Sequence, residues 1–214
     1  MSRMGKERVP NAASPVTRGR LVAEAERLFL AQGYDKVSVR AVNAAAGMNP
    51  AAVHYHFGSK EGLVAVVLQQ RLVPLWADRL GELGERRDAG WKPGITELAD
   101  IIVSPFDQLV AAEDGRMLVH LLARVVLGSV EVPWDNPWFR YEPWCALLRA
   151  TRPDLSERVA DQRWRLAFAL LLQTYGQPLV PADRLGALPP PDPRQVAAFI
   201  AAGLDAPAPG EEAS

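Results

Sequence analysis

The segment GMNPAAVHYHFGSKEGL, residues 47–63, concentrates the side chains most able to do chemistry: His54 and His56 flank Tyr55, and Ser59 and Lys60 follow closely. Such a cluster can hold a metal, move protons or meet a polyanion. Metal chelation fails on geometry. On a helix of about 3.6 residues per turn, side chains two positions apart point about 200° away from each other and cannot share an ion. The third histidine, His120, is distant in sequence, and no Cys or carboxylate stands around the pair at a zinc-like spacing. Neither a G-x-S-x-G nucleophile turn nor a G-x-x-x-x-G-K-[ST] or G-x-G-x-x-G phosphate loop occurs. No catalytic, metal or cofactor residue is therefore assigned, and the expectation is a protein that is not an enzyme.

Contact with duplex DNA makes sense of the residue types together. A recognition helix presents its N-terminal residues to base edges, while neighbouring Tyr, His, Ser and Lys donate to phosphates. Asn49, Pro50, Ala51 and Ala52 form a slim N-terminal turn, and an alanine methyl of Ala51 or Ala52 can meet a thymine methyl. Val53 and Phe57 read as core.

The elements that must position these residues are helices. From Ser14 onward, Leu21, Ala25, Leu28 and Phe29 share one face at helical spacing. Ser14 before Pro15 is an N-cap pair, with Thr17 as the alternative cap, and Gly33 is the expected stop. Ser38 caps a second short helix that must end by Gly47, Asn49 caps a third, and Ser59 caps a fourth running to about Leu80. Short helices joined by tight turns, one carrying a glycine, describe a helix-turn-helix followed by a connector helix.

Charge agrees. Residues 1–60 hold nine basic and four acidic side chains, plus five, so with a total of −1 the remainder carries minus six. One end of the molecule suits a polyanion and the other does not.

The stretch SVRAVNAAAGMNPAAVHYHFGSKEGL resembles the DNA-binding region of the TetR/AcrR family of bacterial transcriptional regulators, over about residues 14–65. Ser38, Gly47, Met48, Asn49 and Val53 stand at motif positions, as do His56, Phe57, Ser59, Lys60 and Glu61. The resemblance implies that His54, Tyr55, His56 and Lys60 contact phosphates and that Ser38, Arg40, Asn49, Pro50, Ala51 and Ala52 face the groove. Two departures stand out: His54 replaces the usual Tyr, and Asn43 replaces a small residue inside the helix-turn-helix, where a buried amide needs partners.

Beyond residue 80 the pattern stays helical, with segments Ile95 to Ala112, Arg116 to Gly128, Asn136 to Thr151, Leu155 to Tyr175 and Pro193 to Leu204. Residues 84–94 and 177–193 read as loops by their Gly and Pro content. The expected architecture is all-α: a flexible basic arm over 1–13, a three-helix DNA-binding domain over 14–58, a helical effector-binding and dimerisation domain over 59–204 with a connector over 59–80, and a disordered tail over 205–214. Trp134, Trp138, Phe139 and Trp144 cluster, with Phe106 and Trp164 elsewhere; such rings either line an apolar pocket or form ordinary core. Arg116, His120 and Arg124 share a helix face that either holds an anionic head group or is simply solvated. The assigned effector site is Phe106, His120, Arg124, Trp138, Trp144 and Trp164. The region 107–164 also resembles, more distantly, the fatty-acid-responsive PsrA-like branch, which implies a fatty acid or acyl-CoA effector. For dimerisation the last two helices offer Leu166, Leu170, Ala197, Ile200, Ala201 and Leu204, pairing into a four-helix bundle.

One cysteine, Cys145, suits a reducing cytoplasm, the N-terminus lacks the apolar core of a signal peptide, and no run spans a bilayer of about 30 Å. The expected protein is a cytoplasmic homodimeric repressor that binds a palindromic DNA operator and is released by an apolar small molecule. The alternative is a helical small-molecule-binding protein or enzyme with a vestigial DNA-binding domain.

Overall fold

The computed structural model describes residues 15–128, 134, 136–176 and 191–208. The Ser14 cap, the basic arm, most of the loop expected over 177–193 and the end of the tail lie outside the described residues. Every regular element among those described is helical. They are α1 (Pro15–Gln32), α2 (Val39–Ala45), α3 (Ala52–Phe57), α4 (Lys60–Asp88), α5 (Ile95–Val110), α6 (Glu113–Leu127), α7 (Glu142–Thr151), α8 (Glu157–Tyr175) and α9 (Pro193–Asp205), with 3-10 turns at Tyr34–Lys36 and Pro137–Phe139. The chain divides into two compact units whose boundary lies between Val67 and Leu68, inside α4 rather than ahead of it. The first turn of α4 is tied to the first unit by side chains: Tyr34 Oη donates to Glu61 at 3.0 Å, and Lys60 Nζ donates to the Tyr34 carbonyl at 2.6 Å.

In the first unit, Leu21, Val22, Ala25, Leu28 and Phe29 bury one face of α1, and Phe29 stacks on Tyr34 with centroids 5.8 Å apart. Thr17 is buried within α1 and is not its cap. Ser38 Oγ accepts from Ala41 N at 3.1 Å and starts α2. At the far end Gly47 adopts φ +66°, Met48 N donates to Asn43 O at 2.8 Å and Gly47 N to Ala44 O at 3.0 Å. That pair of bonds is the Schellman closure, and its left-handed residue favours glycine. Asn49 acts one step earlier than a cap of α3: its Oδ1 accepts from Ala51 N at 3.0 Å and shapes the turn, while the helix begins at Ala52.

In the second unit α4 continues past its expected end at about Leu80, through Gly81 and through Gly84, where the loop over 84–94 was expected to begin. Each glycine costs about 1 kcal/mol relative to alanine in a helix interior, but burial of Leu80 and Leu83 on one face offsets this. The true stop is Gly90, with φ +80° and bonds from Gly90 N to Arg87 O and Trp91 N to Arg86 O. Arg86 lies over the Trp91 ring at 3.6 Å and pairs with Glu97.

Helix α5 packs against α6, α8 and α9, and α7 packs against α8. The single helix expected from Asn136 to Thr151 is split. Asn136 Oδ1 accepts from Trp138 N at 2.9 Å to cap the 3-10 turn, and Pro143, which has no N–H to donate, sits in the first turn of α7. Helix α9 runs to Asp205, so the expected tail starts later. Arg163 caps the end of α9 by donating to the Leu204 and Pro207 carbonyls at 2.7 and 2.9 Å, and Arg152 pairs with Asp205 at 2.8 Å.

Candidate nucleic-acid interface and apolar cavity

The helix-turn-helix is stapled by Asn43, which is 1% exposed. Its Nδ2 donates to Pro50 O at 2.7 Å, and its Oδ1 accepts from Val53 N at 3.1 Å. One side chain on α2 therefore satisfies a carbonyl of the turn and one of the N–H groups that the first turn of α3 leaves open. The unusual amide noted in the sequence has its partners, and they fix the start of the recognition helix relative to α2.

Ser38, Arg40, Asn49, Pro50, Ala51, His54 and Tyr55 are all exposed on this unit, as a groove- or phosphate-facing role requires. Ala52 is not: it is 2% exposed and belongs to the core with Val53, because the helix starts there and turns it inward. The Nδ1 of His54 lies 3.0 Å from Gly58 O. A carbonyl only accepts, so Nδ1 carries the proton and Nε2 remains for an outside group. His56 is half-buried between Tyr55 and Phe57, at 5.2 and 5.9 Å, and its buried Nε2 has no hydrogen-bond partner among the described residues. The two imidazoles are thus held differently. Phe57 is half-buried rather than core, with the Arg18 guanidinium 5.2 Å from its ring.

Lys60 also has contacts within the unit: its ammonium donates to Tyr34 O and lies 3.8 Å from the Tyr34 ring centroid. Next to it, the Glu61 carboxyl is held below its ordinary pKa, first by a bond from its own backbone N–H and then by Ser59, Tyr34 and Lys60, against the opposing effect of burial.

The second unit contains an apolar cavity of about 110 Å³ between α4, α5, α6, α7, α8 and the Pro137–Phe139 turn. Its rings pack in a chain: Trp76 lies 5.9 Å from both Phe106 and Phe139, Trp138 meets Trp144 edge-on at 5.0 Å, and Trp144 meets Phe168 at 5.9 Å. Trp144 Nε1 donates to Trp138 O at 2.9 Å, which satisfies the buried indole and fixes its plane. Tyr141 also lines the space; burial pushes its phenol up, so it stays neutral.

Of the six sequence-assigned effector residues, Phe106, Trp138 and Trp144 line this cavity. Trp164 is fully buried behind Trp144, at 5.5 Å. His120 is buried with Nδ1 2.9 Å from Gly176 O, tying α6 to the end of α8, and Arg124 is exposed. Neither belongs to the wall, because the α6 face turned to the cavity carries Leu122 and Val126 instead. The cavity's cations are Arg79 and Arg140, which the sequence reading missed. Arg79 was legible: it follows Trp76 by three residues and precedes Leu83 by four, on one helical face. Arg140 was not, since a 3-10 turn presents it.

Residues 21–67 match the family described as bacterial regulatory proteins, tetR family. Over 94 residues the chain is 31% identical to the uncharacterized HTH-type transcriptional regulator TtgW of Pseudomonas putida, covering 44% of this chain and 69% of that one. The chain belongs to the TetR family of transcriptional regulators. It is also 31% identical over 94 residues to the HTH-type transcriptional regulator SrpR of Pseudomonas putida, where the match covers 44% of this chain and only 43% of that one. Among solved structures, the multidrug binding protein EbrR complexed with imidazole superposes with a TM-score of 0.55 at 21% identity, covering 91% of this chain and 98% of that one, which shows a shared fold. This TetR-family chain is accordingly a DNA-binding transcriptional regulator with an N-terminal helix-turn-helix and a helical C-terminal domain. Among the described residues no helix is long and apolar enough to cross a membrane.

The expected dimer residues separate into two groups in this TetR-family chain. Leu166 is 72% exposed, and Leu170 and Ala201 are half-buried. Ala197, Ile200 and Leu204 are buried within the chain's own core, at 6%, 3% and 1% exposure. The reason is the stripe Val196, Ala197, Ile200 and Leu204, which seats α9 on α5. The outward apolar group on α9 is Phe199, 70% exposed, which together with Leu166 is the apolar surface these two helices leave to solvent.

Proposed function

We propose that this regulator is a repressor that binds an inverted-repeat operator as a homodimer and leaves it when a small apolar effector fills the cavity of the second unit. The observation that carries this reading is one chain holding both an exposed recognition surface, with Arg40, Asn49 and Tyr55 turned outward, and a ring-lined cavity. Helix α4 serves both. Only Gly58 and Ser59 separate it from α3, and it supplies Trp76, Arg79, Leu80 and Leu83 to the cavity wall. In this reading Arg40 and Tyr55 contact the duplex directly, His54 offers Nε2 to a phosphate, and Leu166 and Phe199 meet their copies across a two-fold axis. A symmetric dimer reads half-sites about one helical turn apart or a multiple of it.

A fatty acid or its CoA ester is the effector that the sequence resemblance implies. The small volume and ring-built wall support a more compact, aromatic occupant. Occupation releases DNA only if the released form binds the effector better, and moving operator occupancy from nearly full to nearly empty requires a preference of about 5.5 kcal/mol.

The test is a mobility shift of the purified protein on DNA from upstream of its own gene, with footprinting of any complex. The expected footprint is an inverted repeat, and affinity should fall steeply with salt as about 0.9 counterions are released per phosphate contact. Arg40→Ala with Tyr55→Phe should reduce affinity at least tenfold. A complex indifferent to both salt and these substitutions would overturn the assignment of this surface.

A further inference from the structure

We propose that the cavity selects a compact, planar aromatic acid, whose ring stacks among the tryptophans and whose carboxylate meets Arg79 and Arg140; this rests on the effector reading above and names the class of ligand. Three observations meet here. First, the wall is built from rings on five elements, α4, α5, the Pro137–Phe139 turn, α7 and α8, and their edge-on and stacked pairs leave flat faces on which another ring can lie. Second, the charged residues in the lining are both arginines, and no Asp or Glu is among the lining residues. Neither arginine is ion-paired among the described residues. Arg140 uses one Nη2 bond, at 2.9 Å, to hold the Trp134 carbonyl, which steadies the guanidinium and leaves its other donors for a ligand. A guanidinium presents its donors in a fork that matches a carboxylate. Third, about 110 Å³ limits the buried part of the occupant to about a single ring, since an apolar cavity of about 150 Å³ accepts benzene.

Both arginines are exposed residues, so the acid end of the ligand lies at the rim, while the ring enters the apolar interior. That polarity separates ligands by charge. An isosteric amide keeps the stacking and loses the ionic contact. An isosteric ammonium ion brings a cation against two cations.

The experiment titrates the full-length protein by calorimetry with benzoate, benzamide and benzylammonium, and repeats the acid with 2-naphthoate as a larger ring system. The expected order is acid at least tenfold tighter than amide, with the ammonium ion weakest. Arg79→Gln, alone and with Arg140→Gln, should bring the acid down to the level of the amide. Equal binding of acid and amide, tightest binding of the ammonium ion, or no binding of any member overturns the proposal. The same ligands are added to the DNA complex. If the acid binds with the stated preference and DNA stays bound, the ligand class stands and the release reading fails. If other compounds release DNA and no aromatic acid binds, the release reading stands and this proposal fails.

Discussion

Asn43 decides more than its single position suggests. An amide buried at 1% exposure would ordinarily destabilise its surroundings, but here donor and acceptor are both used, on Pro50 O and Val53 N. Replacing it with alanine leaves the buried Val53 N–H without its partner, a loss costing about 1–3 kcal/mol, and releases the part-buried Pro50 carbonyl. Asn43→Ala should therefore lower the urea midpoint of the protein and weaken operator binding together, although position 43 touches no DNA in the proposed complex. Unchanged stability and unchanged affinity would show that the two bonds are incidental. The sequence exposed this residue as a departure from its family's pattern and raised the need for partners. It could not say which atoms would answer, because those lie seven and ten residues ahead, across a turn. Lys60 is similar. Its place in the motif suggests a phosphate, and the fold also brings Tyr34 close enough to take its ammonium.

At the scale of elements, helix identity followed from period and caps, and helix extent did not. Ser38 and Ser59 cap as expected, accepting from Ala41 N and Gly62 N. The stop of α4 moved from about Leu80 to Asp88, because burial of Leu83 outweighs two helix-weakening glycines. The facing of α9 likewise depends on a neighbour: its stripe sits on α5, which takes Ile200 into the core and leaves Phe199 outside. The two positions should thus respond differently to the same change. Phe199→Asp, or Leu166→Asp, should leave a folded protein of native helicity that sediments as a monomer and loses cooperative operator binding. Ile200→Asp should cost several kcal/mol by placing an unpaired carboxylate in the core, and should unfold the second unit. Equal circular dichroism and equal oligomeric state for the two variants would contradict the assignment of faces.

At the scale of the whole molecule, a basic first quarter on an acidic remainder agrees with a protein that meets DNA at one end only. If effector and operator compete through the conformation of one dimer, their coupling is reciprocal. Saturating operator DNA should then weaken benzoate binding by the same factor by which benzoate weakens operator binding, typically about 5- to 150-fold. Calorimetry with and without DNA checks this, and independent affinities would remove the coupling.

The sequence by itself determined the all-helical class, the helix-turn-helix with its glycine turn, the charge asymmetry and the wealth of rings past residue 130. These are local properties of period, capping and composition, readable wherever neighbours in sequence are also neighbours in space. The tertiary structure alone decided which rings share a cavity, that Arg79 and Arg140 rather than His120 and Arg124 supply its cations, and which face of α9 is free. Those are matters of how a helix is rotated about its own axis against others distant in sequence. A rotation of one position, about 100°, is enough to exchange wall for surface.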